Sequence, residues 1–196
     1  LGAHVHFSGL DVTDSSALQV EIERIYDATG DLAVLVNNAA RDLRVPWDQI
    51  TPEVFDDLVA VNLKHQLFAA QAAARVMERK GGGSIINFCS IAPSIGVPNL
   101  AVYSSCKAAA FGLSRTLARD LGPLGIRVNS VVPGAILTER QRRDWVSPEG
   151  ETAILERQCL TRALQADDVA EMVLFLGSNA SRGCTAQEFR VDGGNI

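Results

Sequence analysis

Three short stretches, LAVLV at residues 32–36, SIINFC at 84–89 and IRVNSVV at 126–132, are apolar with almost no alternation. A strand with one wet face alternates apolar and polar side chains, so an unbroken apolar run marks a strand covered on both faces. The segments between them are of helical length and amphipathic. Strands alternating with crossover helices build a parallel sheet, and the expected class is therefore α/β.

The punctuation agrees. A strand is expected at about residues 3–8, then a helix over about 14–29, with Thr13 or Asp14 to cap its start and Gly30 its end. A long helix starts behind Thr51 and Pro52 and runs to about Lys80, where Gly81, Gly82 and Gly83 stop it. Another spans about 101–121, with Ala110, Leu113, Leu117 and Leu121 on one face and Gly122–Pro123 at its end. Residues 135–165 read as polar and irregular with helical pieces, 168–176 as a helix and 189–191 as the last strand. No repeat, low-complexity tract or linker divides the chain, so residues 1–196 are expected to be one domain.

Bulk properties exclude some classes. A net charge of −5 argues against a nucleic-acid surface, which would be basic. No apolar run approaches the roughly 18 residues that span a membrane. The opening LGAHVHFSG has neither a signal-peptide pattern nor an initiator methionine, so the natural start is expected upstream. Cys89, Cys106, Cys159 and Cys184 form no CxxC pair and read as reduced thiols, which suits a cytoplasmic protein. His4 and His6 alternate without a third ligand nearby and read as a solvent-facing strand end, so no metal is expected.

The chemistry concentrates in YSSCK, residues 103–107. Tyr103 and Lys107 stand four apart and share a helical face. A free phenol, with a pKa of about 10, is a poor base near neutrality, and a neighbouring ammonium favours the phenolate. Thirteen residues earlier, Ser90 follows the strand at 84–89. The carboxyl end of a parallel strand lies beside the start of its following helix, so a hydroxyl and a tuned phenol could flank one substrate oxygen. Alone, YxxxK also fits a surface tyrosine and a solvated lysine. The serine, an NNA turn and a PG turn, each at the end of a strand, favour the site.

DVTD (11–14), NNAA (37–40), VNL (61–63), Ser90 before YSSCK, PGAILT (133–138) and VDGG (191–194) together resemble the short-chain dehydrogenase/reductase family along nearly the whole chain. The resemblance implies a Rossmann-like doubly wound parallel sheet and NAD, or NADP, as cofactor. It implies Tyr103 as acid/base and Ser90 holding the reacting oxygen. Lys107 would lower the tyrosine's pKa and bind the nicotinamide ribose, and Asn62 would distort its helix and hold a water in a proton relay. Asp11 and Val12 would meet the adenine, and Asn37 and Ala39 would line the adenosine side. Pro133, Gly134, Ile136 and Thr138 would hold the nicotinamide carboxamide. Two positions depart from the pattern: Ala40 in NNAA and Ala186 in TAQ stand where glycine is usual.

NNAARDLR, VNLKHQLFAAQ, LTERQ, SPEG (147–150) and QCL (158–160) resemble the aldose 1-dehydrogenase branch, which oxidises sugars to lactones. That implies a small-molecule substrate met by Arg41, Asp42, Arg140, Gln141 and Gln158, although each of these taken alone reads more readily as part of a solvated loop surface. A 3-oxoacyl or ketone reductase, and a non-catalytic scaffold, are the alternatives. A homo-oligomer, tetramer or dimer, paired through helices 53–80 and 101–121, is also implied. The family opens with a strand and a glycine-rich turn that binds pyrophosphate, and no such element is present here. The sheet is thus expected to lack the family's first two strands, leaving a slot of about 14 Å. About fifty further residues are expected upstream.

Overall fold

The computed structural model describes residues 5–195. Four parallel strands, β1 (Val34–Asn37), β2 (Gly83–Phe88), β3 (Ile126–Pro133) and β4 (Glu188–Val191), lie in the order β1-β2-β3-β4. Both faces are covered over β2 and β3, which is why these two read as unbroken apolar runs; β1, expected to be central from LAVLV, is an edge strand with Val36 39% exposed. Helices α3 (His65–Glu78) and α5 (Ala101–Leu121) pack on one face against Ile85, Ile126 and Val128. Helix α8 (Ala166–Gly177) packs on the other against Ile86 and Val131. Fully burying one such aliphatic side chain contributes about 1.5–3 kcal/mol.

Helix α1 (Ser15–Thr29) starts as expected. The Asp14 carboxylate accepts the N–H groups of Ser16 and Ala17 at 3.1 and 3.0 Å, and Gly30 closes the helix at φ 73°. It lies on α3, where Ala69, Ala70, Ala72, Ala73 and Ala74 let the sheet on one side and Ile22 on the other come close. At the far end of the sheet the β2 and β3 entry loops touch backbone to backbone: a Cβ on Gly82 would come within 2.4 Å of the Gly125 carbonyl oxygen.

Two further expectations need correction. Residues 5–8 form no strand, with Val5 and Phe7 exposed. A strand needs a neighbour for its N–H and C=O groups, and among the described residues none lies beside it. His4 lies outside the described residues. The long helix at 51–80 is also not continuous: α2 (Pro52–Val59) passes through a wide π turn, Ala60–Lys64, into α3. The region 135–165 holds α6 (Glu139–Asp144) and α7 (Pro148–Glu156), and a short α4 (Ala92–Ile95) follows β2. None of the described helices is long and apolar enough to cross a membrane.

Candidate active site

The carboxyl ends of β1, β2 and β3 are fixed by a buried polar seam. Asn37 Nδ2 donates to Asn87 Oδ1 at 2.8 Å, and Asn87 Nδ2 donates to Ser114 Oγ at 2.9 Å. Ser130 Oγ donates to Ser114 Oγ, also at 2.9 Å, and Ser114 Oγ donates to the Ala110 carbonyl. Every link is satisfied, so the seam adds rigidity without leaving an orphaned polar group. It binds three strands to α5, and so holds the residue after β2, Ser90, against the first turns of α5.

There the expected trio meets. Ser90 and Tyr103 line one pocket of about 230 Å³, shared with Asp42, Arg44 and Gln141. Lys107, 2% exposed, donates from Nζ to the Phe88 carbonyl at 2.8 Å and stands 5.6 Å from the centroid of the Tyr103 ring. Burial pulls the Lys107 ammonium down to about 8. Burial pushes the Tyr103 phenol above its ordinary range, the nearby Ser90 hydroxyl pulls it back, and the negative charges of Asp42 and Cys89 push it up again. That direction is opposite to the expectation from YxxxK. The lysine is turned to a carbonyl and to the ring face, and does not offset the desolvation of the phenol.

Tyr103 also faces a second cleft, of about 780 Å³, between the β1–β2 end of the sheet and α8. Pro133, Ile136 and Thr138 line it with Val36, Asn38 and Phe88. The apolar walls suit a flat ring. Thr138 caps α6, accepting the Gln141 N–H at 3.2 Å, which leaves its O–H free to donate. The residues present fit the nicotinamide end of a dinucleotide.

Several individual expectations shift. Asn37 faces the seam, and Asn38, one residue on and hence on the opposite side of the strand, faces the cleft. That alternation is readable from sequence. Gly134 is small for another reason than ring approach: a Cβ there would lie 2.7 Å from the Asp192 Cα. Asp11 Oδ1 accepts the Thr13 N–H at 2.9 Å and the Thr13 hydroxyl at 2.8 Å, and Asp11, Val12 and Ala39, expected on the adenosine side, lie outside the nicotinamide cleft.

Asn62 does distort its helix. Its side chain is wholly buried and bonded: Oδ1 accepts Arg41 N–H at 2.9 Å, and Nδ2 donates to the Arg41 and Leu58 carbonyls at 3.1 and 2.9 Å. The amide is thus a clasp on the loop after β1, with both N–H donors used and one lone pair of Oδ1 left over.

Of the five rim residues, Asp42 and Gln141 line the pocket, and Arg140 reaches Asp42 from outside it. Arg41 turns away to pair with Asp57. Gln158 is buried and donates to the Leu160 and Arg162 carbonyls at 3.1 and 3.0 Å, bracing the C-terminal turn. Arg44 and Trp145, stacked with the guanidinium carbon 5.2 Å from the ring centroid, went unread because nothing local links residues a hundred positions apart.

A family model described as enoyl-(acyl carrier protein) reductase matches residues 1–195. A protein of Rhizobium meliloti named "Probable galactose dehydrogenase" is 45% identical over 98% of this chain and 75% of its own length. D-xylose 1-dehydrogenase of Caulobacter vibrioides is 39% identical over 98% of this chain and 86% of its own. Among solved structures, a gluconate 5-dehydrogenase from Burkholderia cenocepacia, in complex with NADP and tartrate, superposes with a TM-score of 0.88 at 32% identity, covering 94% of this chain and 72% of that one. A short-chain type dehydrogenase/reductase from Mycobacterium ulcerans gives a TM-score of 0.93 at 30% identity over 98% and 70%.

Proposed function

The chain belongs to the short-chain dehydrogenase/reductase family of oxidoreductases, and from that premise we propose that it oxidises an aldose at C1 to the lactone, with NAD as the hydride acceptor and NADP as the alternative. The observation that carries the reading is the position of Tyr103, at the junction of a small pocket that sets Ser90, Asp42, Arg44 and Gln141 among apolar side chains and a large apolar cleft. A hydroxyl in the first can present its carbon to a ring in the second.

The nicotinamide, when bound, supplies an acceptor for hydride at its C4. Tyr103, as phenolate, takes the proton of the C1 hydroxyl, while the Ser90 hydroxyl holds the same oxygen as the carbonyl forms. C1 loses its hydrogen with both electrons and the oxygen loses its proton, which leaves the lactone. Lys107 fixes its charge beside the Tyr103 ring and favours the phenolate once a second positive charge shares the site. Pro133, Ile136 and Thr138 orient the carboxamide. Since Tyr103 starts protonated, the oxidation is expected to quicken as pH rises.

In the full-length protein Tyr103→Phe is expected to lower kcat/KM for the sugar by about 10³-fold, with cofactor affinity changed by less than about threefold. Near-normal turnover would remove Tyr103 from this role. Pentoses and deoxyhexoses with the oxidised cofactor, assayed beside acetoacetyl thioesters with the reduced one, test the substrate class. Turnover of the thioesters alone would sink the sugar reading, and loss of all cofactor binding would favour a scaffold.

The same reading includes one domain over residues 1–196, a cytoplasmic location checked by fractionation, and a homo-oligomer paired through α3 and α5. The groove between those helices, floored by Leu67, Ala70, Ala74, Leu117 and Leu121, supports the pairing. Sedimentation as a monomer would contradict it.

A further inference from the structure

The loop at 41–45 is pinned at both ends. Asn62 grips the Arg41 backbone at 2.9 and 3.1 Å, and Val45 N–H donates to the Asn99 carbonyl at 2.8 Å. Between those anchors the loop presents Asp42 and Arg44 to the pocket. Asp42 Oδ2 accepts from Gln141 Nε2 at 3.3 Å, and Oδ1 accepts from Arg140 Nη2 at 3.4 Å, both on α6. These bonds lie beyond the usual 2.7–3.2 Å range, roughly, so better donors can displace them. Arg44 stacks on Trp145, the residue after α6.

We propose that Asp42 is the specificity-determining residue of the site, accepting two neighbouring hydroxyls of a neutral polyhydroxy substrate in exchange for its bonds to Gln141 and Arg140. The inference rests on the aldose reading and names what recognises the sugar. Three observations favour a neutral polyol. The charges facing the pocket are one carboxylate and one guanidinium, which balance, so a charged ligand gains little over a neutral one. A carboxylate is acceptor-only, with four lone-pair directions over two oxygens, and suits paired hydroxyl donors. The volume of about 230 Å³ is below the roughly 300–1,000 Å³ of drug-sized pockets and matches a single small ring. The exchange also releases α6, so recognition and movement of the cover become one event.

The experiment compares an aldopentose with tetrahydropyran-2-ol, the same reacting carbon and ring without the neighbouring hydroxyls. Asp42→Asn in the full-length protein is expected to reduce kcat/KM for the pentose about thirtyfold and for tetrahydropyran-2-ol less than threefold. Equal losses on both, or no loss on the pentose, would overturn the proposal while leaving the aldose reading intact. A second readout does not depend on turnover. Residues 1–196 hold two tryptophans, so the difference in emission between a Trp47→Phe protein and the same protein with Trp145→Phe added reports Trp145. The pentonolactone is expected to shift its emission, and Asp42→Asn to raise the required concentration about tenfold or more. A melting curve checks that the variant is folded, and the size-preserving Asp42→Leu repeats the test if it is not. A wild-type protein that neither oxidises the pentose nor responds to its lactone would overturn both the proposal and the aldose reading.

Discussion

Helix α3 and the pair α6–α7 are held by opposite means. Nine residues of α3, from His65 to Met77, are buried, and it is wedged between the sheet and α1. Neither α6 nor α7 has one buried residue. They are held by caps and by half-exposed ion pairs, Arg142 with Glu151 at 3.1 Å and Arg140 with Asp42 at 3.4 Å. Apolar packing resists displacement at any salt, whereas exposed ion pairs contribute about 0–1 kcal/mol each and weaken with ionic strength. The difference divides the site. Tyr103, Lys107 and Ser90 stand on the packed side, whereas α6, which carries Arg140 and Gln141, stands where the chain can give.

Three measurements press on that contrast. Ile86→Ala, fully buried between β2 and α8, is expected to cost about 2–4 kcal/mol in denaturant unfolding, because it leaves a cavity in a core that cannot collapse. A loss below 1 kcal/mol would mean the sheet side is not rigid.

His65 is the odd member of the packed side. It is 3% exposed, neither ring nitrogen has a partner, and burial, with help from the Lys107 charge, pulls it down to about 4. Between pH 4 and the ordinary value near 6.5 the unfolded chain binds more protons than the folded one, so the wild type loses stability as pH falls through that window. His65→Phe removes that dependence. The stability gap between the two is expected to widen by about 3 kcal/mol from pH 7 to pH 4, in favour of phenylalanine. Parallel curves would show that His65 finds a partner in solution.

Arg142→Ala should do least. Less than about 1 kcal/mol of stability is expected to go, since the pair it breaks is exposed, though its 2.8 Å bond to the Leu137 carbonyl also goes. A loss matching that of Ile86→Ala would erase the distinction between the two regions.

Most of the sheet was legible because burial on both faces writes itself into consecutive residues, as in β2 and β3. Helix ends were legible where a cap is local, as at Asp14, Gly30 and Thr51. The strand at 3–8 was misread because apolar residues with strand spacing form a ladder only beside a partner. Within the site, Ser90, Tyr103 and Lys107 could be read because a strand end and the start of the next helix are neighbours by topology. Arg41 and Gln158 were misread because a polar residue in a loop has many possible partners, and these two found Asp57 and two backbone carbonyls.

Period, caps and the strand–helix spacing were thus determined by the sequence alone, since each depends on residues a few positions apart. The seam from Asn37 to Ser130, the clasp of Asn62 on Arg41 and the contact of Asp42 with Gln141 were decided only in the tertiary structure. Those bonds join residues 16 to 99 positions apart, and which polar groups pair at such distances is chosen by the packing that brings the elements together.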